Sequence, residues 1–178
     1  MKKVLIIGNQ GYLGSILTDY LQDREYYCVG ADIGFFKNGF LYPNQDILMI
    51  DKEARTISEK DIHSFDVVIM LAGISNDPFG NLSYEEVYDP TRLYAIKIAK
   101  MCKKLGVRYI FPSSCSVYGD GADGSQLNED SPTNPLTPYS LNKLQIEQDL
   151  SELADENFSP IALRFGTVFG CSPRIRFD

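Results

Sequence analysis

The stretch KVLIIGNQGYLG, residues 3–14, decides the fold of this chain. Its first half is a short, apolar, β-branched run with no room for a helix, and a turn with glycines at positions 8, 11 and 14 follows at once. The apolar spacing then becomes helical, and the run YYCVGAD, residues 26–32, supplies a second strand. We therefore predict a β-α-β unit that ends in the carboxylate of Asp32.

The glycine turn is a candidate phosphate site. A helix N-terminus carries unpaired amides and about half a positive charge, and a pyrophosphate reaches it only where no side chain blocks the approach. Gly8 and Gly11 would give that clearance, and Gly14 would let the helix lie close to the strand. The candidate cofactor-binding residues of this turn are Gly8, Gly11, Tyr12, Leu13 and Gly14.

Asp32 indicates which dinucleotide the turn would hold. Its carboxylate would accept hydrogen bonds from the ribose hydroxyls of adenosine and would repel a 2′-phosphate. No arginine occurs at residues 9–10 or just after Asp32, which favours NAD over NADP. A second acid, Asp51, closes a predicted third strand over 46–51, where it could meet the adenine or simply serve as a turn residue.

Length, composition and charge narrow the function classes. The chain has 178 residues, of which 44% are apolar and 23% charged, and this predicts one globular domain over 1–178. A net charge of −7 without long basic runs argues against nucleic-acid and anionic-membrane partners. Four cysteines without CxxC pairing, no N-terminal signal and no bilayer-length apolar run favour a reduced, cytoplasmic setting. With His63 as the only histidine, expected at a surface or helix end, we predict no metal site.

Strand-like and helix-like segments alternate along the whole chain. Further strands are predicted over 65–73, 107–111 and 159–165, and helices over 57–64, over 83–105 with a fresh start at Pro90, and after Thr137 as N-cap and Pro138. Six strands alternating with helices predict an α/β fold, a doubly wound parallel sheet of the Rossmann type. The small residues Ala72 and Gly73 end the fourth strand and would let the cofactor pass close by, so the run Leu71, Ala72 and Gly73 joins the cofactor-binding candidates.

Tyr139 and Lys143 are the candidate catalytic pair. They lie four residues apart at the start of a predicted helix and therefore share a face. A nearby ammonium favours the phenolate, so Tyr139 could exchange a proton with a substrate hydroxyl during hydride transfer, while Lys143 also holds the nicotinamide ribose. Ser114, at the end of the fifth strand, could hydrogen-bond the reacting oxygen. The polar loop over 120–136 would help to hold the substrate.

These motifs together resemble the extended short-chain dehydrogenase/reductase family, which comprises NAD-dependent sugar-nucleotide epimerases and dehydratases. The resemblance rests on the glycine turn, Asp32, residues 71–73, 113–119 and 163–170, and Tyr139 with Lys143. It implies NAD as cofactor, a nucleotide-linked sugar as substrate, and Ser114, Tyr139 and Lys143 as the catalytic triad. We expect epimerisation first, because the cofactor is then recycled in place, with a reductase or dehydratase as alternatives.

Three features depart from the family pattern. Cys115 and Ser116 follow Ser114 where dehydratases carry Asp-Glu, which argues against elimination. Fucose-type epimerase-reductases of the family use a nearby cysteine, but its position matches Ser116 here, so we expect Cys115 to be a small packing residue. Thr91 stands where many members carry asparagine, and we assign it no role. Members also continue into a C-terminal substrate domain that is largely absent here, so a truncated, non-catalytic NAD-binding module stays open as an alternative.

Two further expectations follow from the resemblance. Arg174 and Arg176 could contact substrate phosphates or belong to an exposed tail. Helices over 91–105 and 138–153 would form a homodimer interface.

Overall fold

The computed structural model describes residues 1–35, 38–42, 47–74, 84–120 and 126–174, with backbone only for 84–89. It contains six strands: β1 (Lys3–Ile7), β2 (Tyr27–Asp32), β3 (Leu48–Asp51), β4 (Val67–Met70), β5 (Arg108–Ser114) and β6 (Ile161–Phe165). Four α-helices connect them: α1 (Tyr12–Gln22), α2 (Glu59–Ile62), α3 (Tyr84–Leu105) and α4 (Pro138–Leu153). Short 3-10 turns lie at Ala54–Thr56 and Cys115–Tyr118.

The six strands form one sheet in the order β3-β2-β1-β4-β5-β6, and every pairing is parallel. This order confirms the predicted doubly wound Rossmann-type fold. The strand order reverses between β1 and β4, and in open parallel sheets a ligand crevice lies at such a reversal, beyond the carboxyl ends of the strands. The glycine turn follows β1 directly and therefore lies at this crevice.

The core lies on both faces of the sheet because successive strand residues point to opposite sides. Leu5 and Ile7 of β1 join a large cluster with Ile98 of α3 and Ile146 of α4. On the other face, Val4, Ile6 and Cys28 pack with Leu21 of α1. A strand buried on both faces needs a continuous apolar run, which is why residues 3–7 carry no alternation.

Helix α3 is continuous, so the predicted fresh start at Pro90 is wrong. Pro90 lies inside the helix, where proline removes one backbone hydrogen bond and crowds the preceding turn. Ala95, Ile98 and Cys102 of the same helix are fully buried, and this packing offsets the cost of the proline. The predicted end at Gly106 is correct, since Gly106 follows Leu105 with φ +68°.

Helix α4 begins as the sequence predicts. Thr137 is the N-cap, its side chain accepts a hydrogen bond from Ser140 N at 3.1 Å, and Pro138 occupies the first turn. The helix is joined to α3 by a two-pronged ion pair in which Arg92 donates to Asp149 at 2.6 and 2.7 Å. These contacts fix the helix that carries Tyr139 and Lys143. Within the described ranges, no helix combines the length and apolarity needed to cross a bilayer.

Candidate functional site

The glycine turn is shaped by close backbone contacts. Gly8 has φ +91°, and a Cβ there would lie 2.5 Å from the backbone nitrogen of Ala72. A Cβ at Gly14 would lie 2.2 Å from the carbonyl oxygen of Gly8, so helix α1 packs directly on the turn. Among the described residues, a Cβ on Gly11 would meet only the carbonyl oxygen of Gly8, at 3.3 Å, so the outer side of the turn is open. Gly11 therefore provides the clearance, whereas Gly8 and Gly14 are required by contacts within the protein.

The N-terminus of α1 is suited to an anion. Its N-cap is Gly11, which supplies no side-chain cap, and its first turn contains no acidic residue. The amides of Tyr12 and Leu13 belong to that first turn. Nearby, Asn9 Oδ1 and Gln10 Oε1 are buried without a hydrogen-bond partner among the described residues. An uncapped helix N-terminus with no acidic residue in its first turn fits the pyrophosphate of a dinucleotide.

Asp32 closes the second strand beside this turn. Its Oδ2 accepts a hydrogen bond from Gln10 N at 3.0 Å, and its Oδ1 accepts one from Gly34 N at 2.9 Å. The carboxylate is thereby held between the glycine turn and the loop after β2. Asp51 is opposite Asp32 in the β2–β3 register and is exposed.

Asn9 was not identified from the sequence as a site residue. It is 2% exposed, and its Nδ2 donates to Met49 Sδ at 3.3 Å. A Cβ on Gly30 would lie within 2.5 Å of the Asn9 side chain, so Gly30 makes room for it over β2. A glycine inside a strand is the sequence signal of such a close approach.

The end of β4 completes the crevice. The amides of Leu71 and Ala72 both donate to Ile7 O at 2.8 Å, which draws this segment against the glycine turn. Behind it, a Cβ on Gly73 would lie 3.2 Å from Thr91 Cγ2. Thr91 is buried, and Tyr94 Oη donates to its hydroxyl at 3.2 Å. Thr91 thus packs behind the crevice.

Ser114 ends β5 and caps the 3-10 turn that follows. Its Oγ accepts hydrogen bonds from Ser116 N at 3.2 Å and from Ser116 Oγ at 2.9 Å. Ser116 was not predicted to be a site residue, although a Ser-x-Ser pattern at a strand end is typical of such a turn. Cys115 is exposed, so its predicted role in packing is wrong. Its side chain points outward because Val117 provides the buried contact of this turn.

Lys143 is hydrogen-bonded to β5 two residues before Ser114. Its Nζ donates to Pro112 O at 2.7 Å and lies 4.5 Å from the centroid of the Phe111 ring and 5.5 Å from that of Tyr139. Burial lowers the pKa of Lys143 to about 8, against the opposing effect of the Glu147 carboxylate. Lys143 and Tyr139 on α4 and Ser114 on β5 therefore lie at the same carboxyl edge of the sheet as the glycine turn.

A second polar cluster adjoins this edge. Glu147, one turn after Lys143, accepts hydrogen bonds from Ser113 Oγ and from Arg164 of β6. Arg164 Nη1 also donates to Tyr118 Oη at 2.7 Å. This cluster was not predicted from the sequence, although Glu147 continues the four-residue spacing of Tyr139 and Lys143.

The segment after β6 returns to the start of α1. Tyr12 Oη donates to Gly170 O at 2.7 Å, and Ser172 Oγ donates to Tyr12 O at 2.9 Å. Arg174 is half-buried and forms an antiparallel bridge with Phe40, so the exposed-tail interpretation does not apply to it. Arg176 and loop residues 121–125 lie outside the described residues.

The described residues contain no group of three or more His, Cys, Asp or Glu side chains that could hold a metal ion. His63 is the exposed C-cap of α2, as the sequence predicts.

Comparison with known proteins identifies the family. The family model of the NAD dependent epimerase/dehydratase family matches residues 4–177. An uncharacterized UDP-glucose epimerase of Bacillus subtilis (strain 168), YtcB, is 30% identical over 99% of this chain and 59% of its own length. The UDP-glucose 4-epimerase of Azospirillum brasilense is 25% identical over 96% of this chain and 50% of its own. The chain belongs to the NAD dependent epimerase/dehydratase family, and it spans about half the length of these relatives.

Solved structures agree with this assignment. MoeE5 in complex with UDP-glucuronic acid and NAD superposes with a TM-score of 0.79 at 29% identity, covering 94% of this chain and 56% of MoeE5. The UDP-glucuronic acid 4-epimerase of Bacillus cereus in complex with NAD gives a TM-score of 0.77 at 25% identity, covering 97% and 60%. The expected cofactor, NAD, is thus the cofactor of the family and of these structural neighbours.

Proposed function

We propose that this family member acts on a nucleotide-linked sugar by NAD-dependent hydride transfer, and that its reaction is an epimerisation. The observation that carries the proposal is the anchoring of Lys143 on Pro112 O, two residues before Ser114, at the sheet edge that also holds the glycine turn. The UDP-sugars bound to MoeE5 and named for the relatives support a UDP-sugar as substrate.

Each residue has a separate task in this proposal. The amides of Tyr12 and Leu13 and the open side of Gly11 bind the pyrophosphate, and Asp32 accepts the adenosine ribose hydroxyls. Residues 71–73 would border the dinucleotide, Asp51 would contact the adenine, and Lys143 would hold the nicotinamide ribose. NAD, when bound, supplies the acceptor and donor of the hydride.

The protein's own groups manage the proton. Tyr139 Oη takes the proton of the sugar hydroxyl as that carbon becomes a ketone, and returns it when the alcohol is formed again. The Lys143 ammonium stabilises the phenolate, and Ser114 Oγ donates a hydrogen bond to the reacting oxygen. Return of the hydride from bound NAD to the opposite face of the ketone would invert that carbon and leave the cofactor unchanged.

The first test is calorimetric titration of the chain with NAD, NADP and UDP-glucose, followed by turnover assays on a panel of UDP-sugars. Tyr139→Phe should bind NAD as wild type does and lose turnover, because only the proton carrier is removed. Unchanged turnover in Tyr139→Phe would remove Tyr139 from the mechanism.

A second candidate is a cofactor-binding unit without turnover of its own. The chain spans about half the length of each relative, so turnover by this chain is tested separately from NAD binding. NAD binding without UDP-sugar binding or turnover would support this candidate, whereas turnover of any UDP-sugar would exclude it.

A further inference from the structure

The cluster around Glu147 joins the two elements that carry the candidate catalytic residues. Arg164 Nε lies 3.1 Å from both carboxylate oxygens of Glu147, and its Nη2 lies 2.7 Å from Oε2. Ser113 Oγ donates to the same carboxylate, and Ser113 immediately precedes Ser114. Glu147 therefore holds helix α4 against the end of β5, one turn after Lys143.

Arg164 extends this connection to the far end of the Ser114 turn. Its Nη1 donates to Tyr118 Oη at 2.7 Å and to Glu129 O at 3.2 Å, and its guanidinium lies 4.8 Å from the centroid of the Tyr118 ring. The turn over 114–118 is thus fixed at its start through Ser113 and at its end through Tyr118. Both connections lead to the Glu147–Arg164 pair.

The pair is shielded from solvent, with side-chain exposures of 20% for Arg164 and 11% for Glu147. A shielded, two-pronged arginine–carboxylate pair is stronger and more directional than a surface ion pair. Such a pair suits a contact that has to preserve geometry.

Glu147 lies four residues after Lys143 and therefore on the same face of α4, one turn away. On β5, Lys143 contacts the Phe111 ring and the Pro112 carbonyl, and neither of these groups titrates. On α4, the Tyr139 phenol and the Glu147 carboxylate are the ionisable groups one turn from Lys143. The charged residue of β6, Arg164, is paired with that carboxylate. Among the described residues, Glu147 is the anion that favours the charged form of Lys143.

We propose that Glu147 is a positioning residue: clamped by Arg164 and Ser113, it holds helix α4, and with it Lys143, against the Ser114 turn, and it places a carboxylate one helical turn from the Lys143 ammonium. The role in catalysis rests on the proposed hydride-transfer function. The local effect on Lys143 does not, because it exists in the protein without cofactor or sugar.

The test is an NMR pH titration of the Lys143 side chain in the full, lysine-labelled chain, with the signal assigned by Lys143→Arg. Glu147→Gln keeps the shape and the acceptor for Ser113 but removes the charge, so the titration midpoint of Lys143 should fall. Arg164→Gln frees the carboxylate from its competing cation, so the midpoint should rise. Asp149→Asn, which breaks the other ion pair of α4, is the matched control and should leave the midpoint unchanged.

The opposite shifts expected for the Lys143 midpoint in the two variants distinguish a positioning role of Glu147 from a purely structural one. A purely structural pair predicts that Glu147→Gln and Arg164→Gln both lower the free energy of unfolding while the Lys143 midpoint stays at its wild-type value. That result in either folded variant overturns the proposal. Once a turnover substrate is known, Glu147→Gln should also lower kcat with little change in KM and move the alkaline decline of activity to lower pH. If the Lys143 midpoint shifts as expected in both variants but no turnover is found, the result would count against the proposed function and not against the role of Glu147.

Discussion

Gly8 shows at the scale of one residue how the turn excludes side chains. We expect Gly8→Ala to lower the free energy of unfolding by more than the ~1–2 kcal/mol of an ordinary left-handed alanine, because the Cβ would also meet the Ala72 backbone at 2.5 Å. The displaced turn should lose NAD binding. Urea unfolding and calorimetric titration with NAD would measure the two effects.

Gly106→Ala provides the matched control. Gly106 also has a positive φ, +68°, but a Cβ there would meet no described residue within 4 Å. It should show only the backbone cost and keep NAD affinity. Equal unfolding free energies for the two variants would mean that the contact with Ala72 costs nothing.

Asp32 is expected to set the preference between the two dinucleotides. Asp32→Asn should weaken NAD binding by about 10–100-fold, the worth of a charge-assisted hydrogen bond of ~1.5–3 kcal/mol, and should narrow the gap to NADP because the repulsion of a 2′-phosphate is lost. Asp51→Asn should change the ratio of the two affinities far less, since Asp51 lies one strand further out. Calorimetric titrations with both dinucleotides decide, and an unchanged NAD/NADP ratio in Asp32→Asn would contradict the assignment.

Candidate site residues could be predicted from the sequence where they lie close together within one local unit of structure. The glycine turn, Asp32 and the Tyr139–Lys143 spacing lie within single β-α or helical units, and the structure places them at one sheet edge. The Glu147–Arg164 pair joins a helix to a strand 17 residues later, a register that only the packed sheet defines. The wrong expectation for Cys115 has the same origin, because the direction of a turn side chain depends on which neighbour is buried.

At the scale of the element, the start of α4 should control the first turn that carries Tyr139. Thr137→Ala removes the acceptor of Ser140 N and should cost about 0.5–2 kcal/mol of stability. Faster amide hydrogen exchange in that turn and a lower kcat should accompany the loss.

Ser58→Ala is the corresponding control, because Ser58 is the N-cap of the short helix α2. It should lower stability without affecting exchange in α4 or kcat. Equal exchange rates in the first turn of α4 for wild type and Thr137→Ala would show that Pro138 and the packing of α4 suffice to hold Tyr139.

Elements were predictable where propensity and packing agree. The capping pattern of Thr137, Pro138 and Ser140 is local, and the helix starts where it predicts. Pro90 shows the reverse case, because the buried residues of α3 hold the helix through a residue that disfavours it. A single sequence contains the proline penalty but not the packing that outweighs it.

At the scale of the whole molecule, the order of strands and helices along the sequence was sufficient to predict the sheet topology. Alternating strands and helices with right-handed crossovers permit few topologies, and the structure has the doubly wound one. The surface does not follow from such order, because association depends on which side chains the packed helices leave exposed.

We predict that the chain forms a homodimer through α3 and α4. These helices pack side by side, and each leaves a leucine in solvent, with Leu93 72% and Leu141 40% exposed. Two copies joined across this layer would bury both leucines, and burying a leucine contributes about 1.5–3 kcal/mol. Light scattering should give twice the chain mass at micromolar concentration.

Leu93→Asp should shift the protein to monomer, since a carboxylate would have to be buried at the centre of the interface. Leu48→Asp is the control, because Leu48 is 65% exposed but lies on the outermost strand, β3. This variant should remain dimeric. A monomeric wild-type chain would contradict the predicted dimer, and a dimer that Leu48→Asp dissociates and Leu93→Asp does not would move the contact from the α3–α4 layer to the β3 edge.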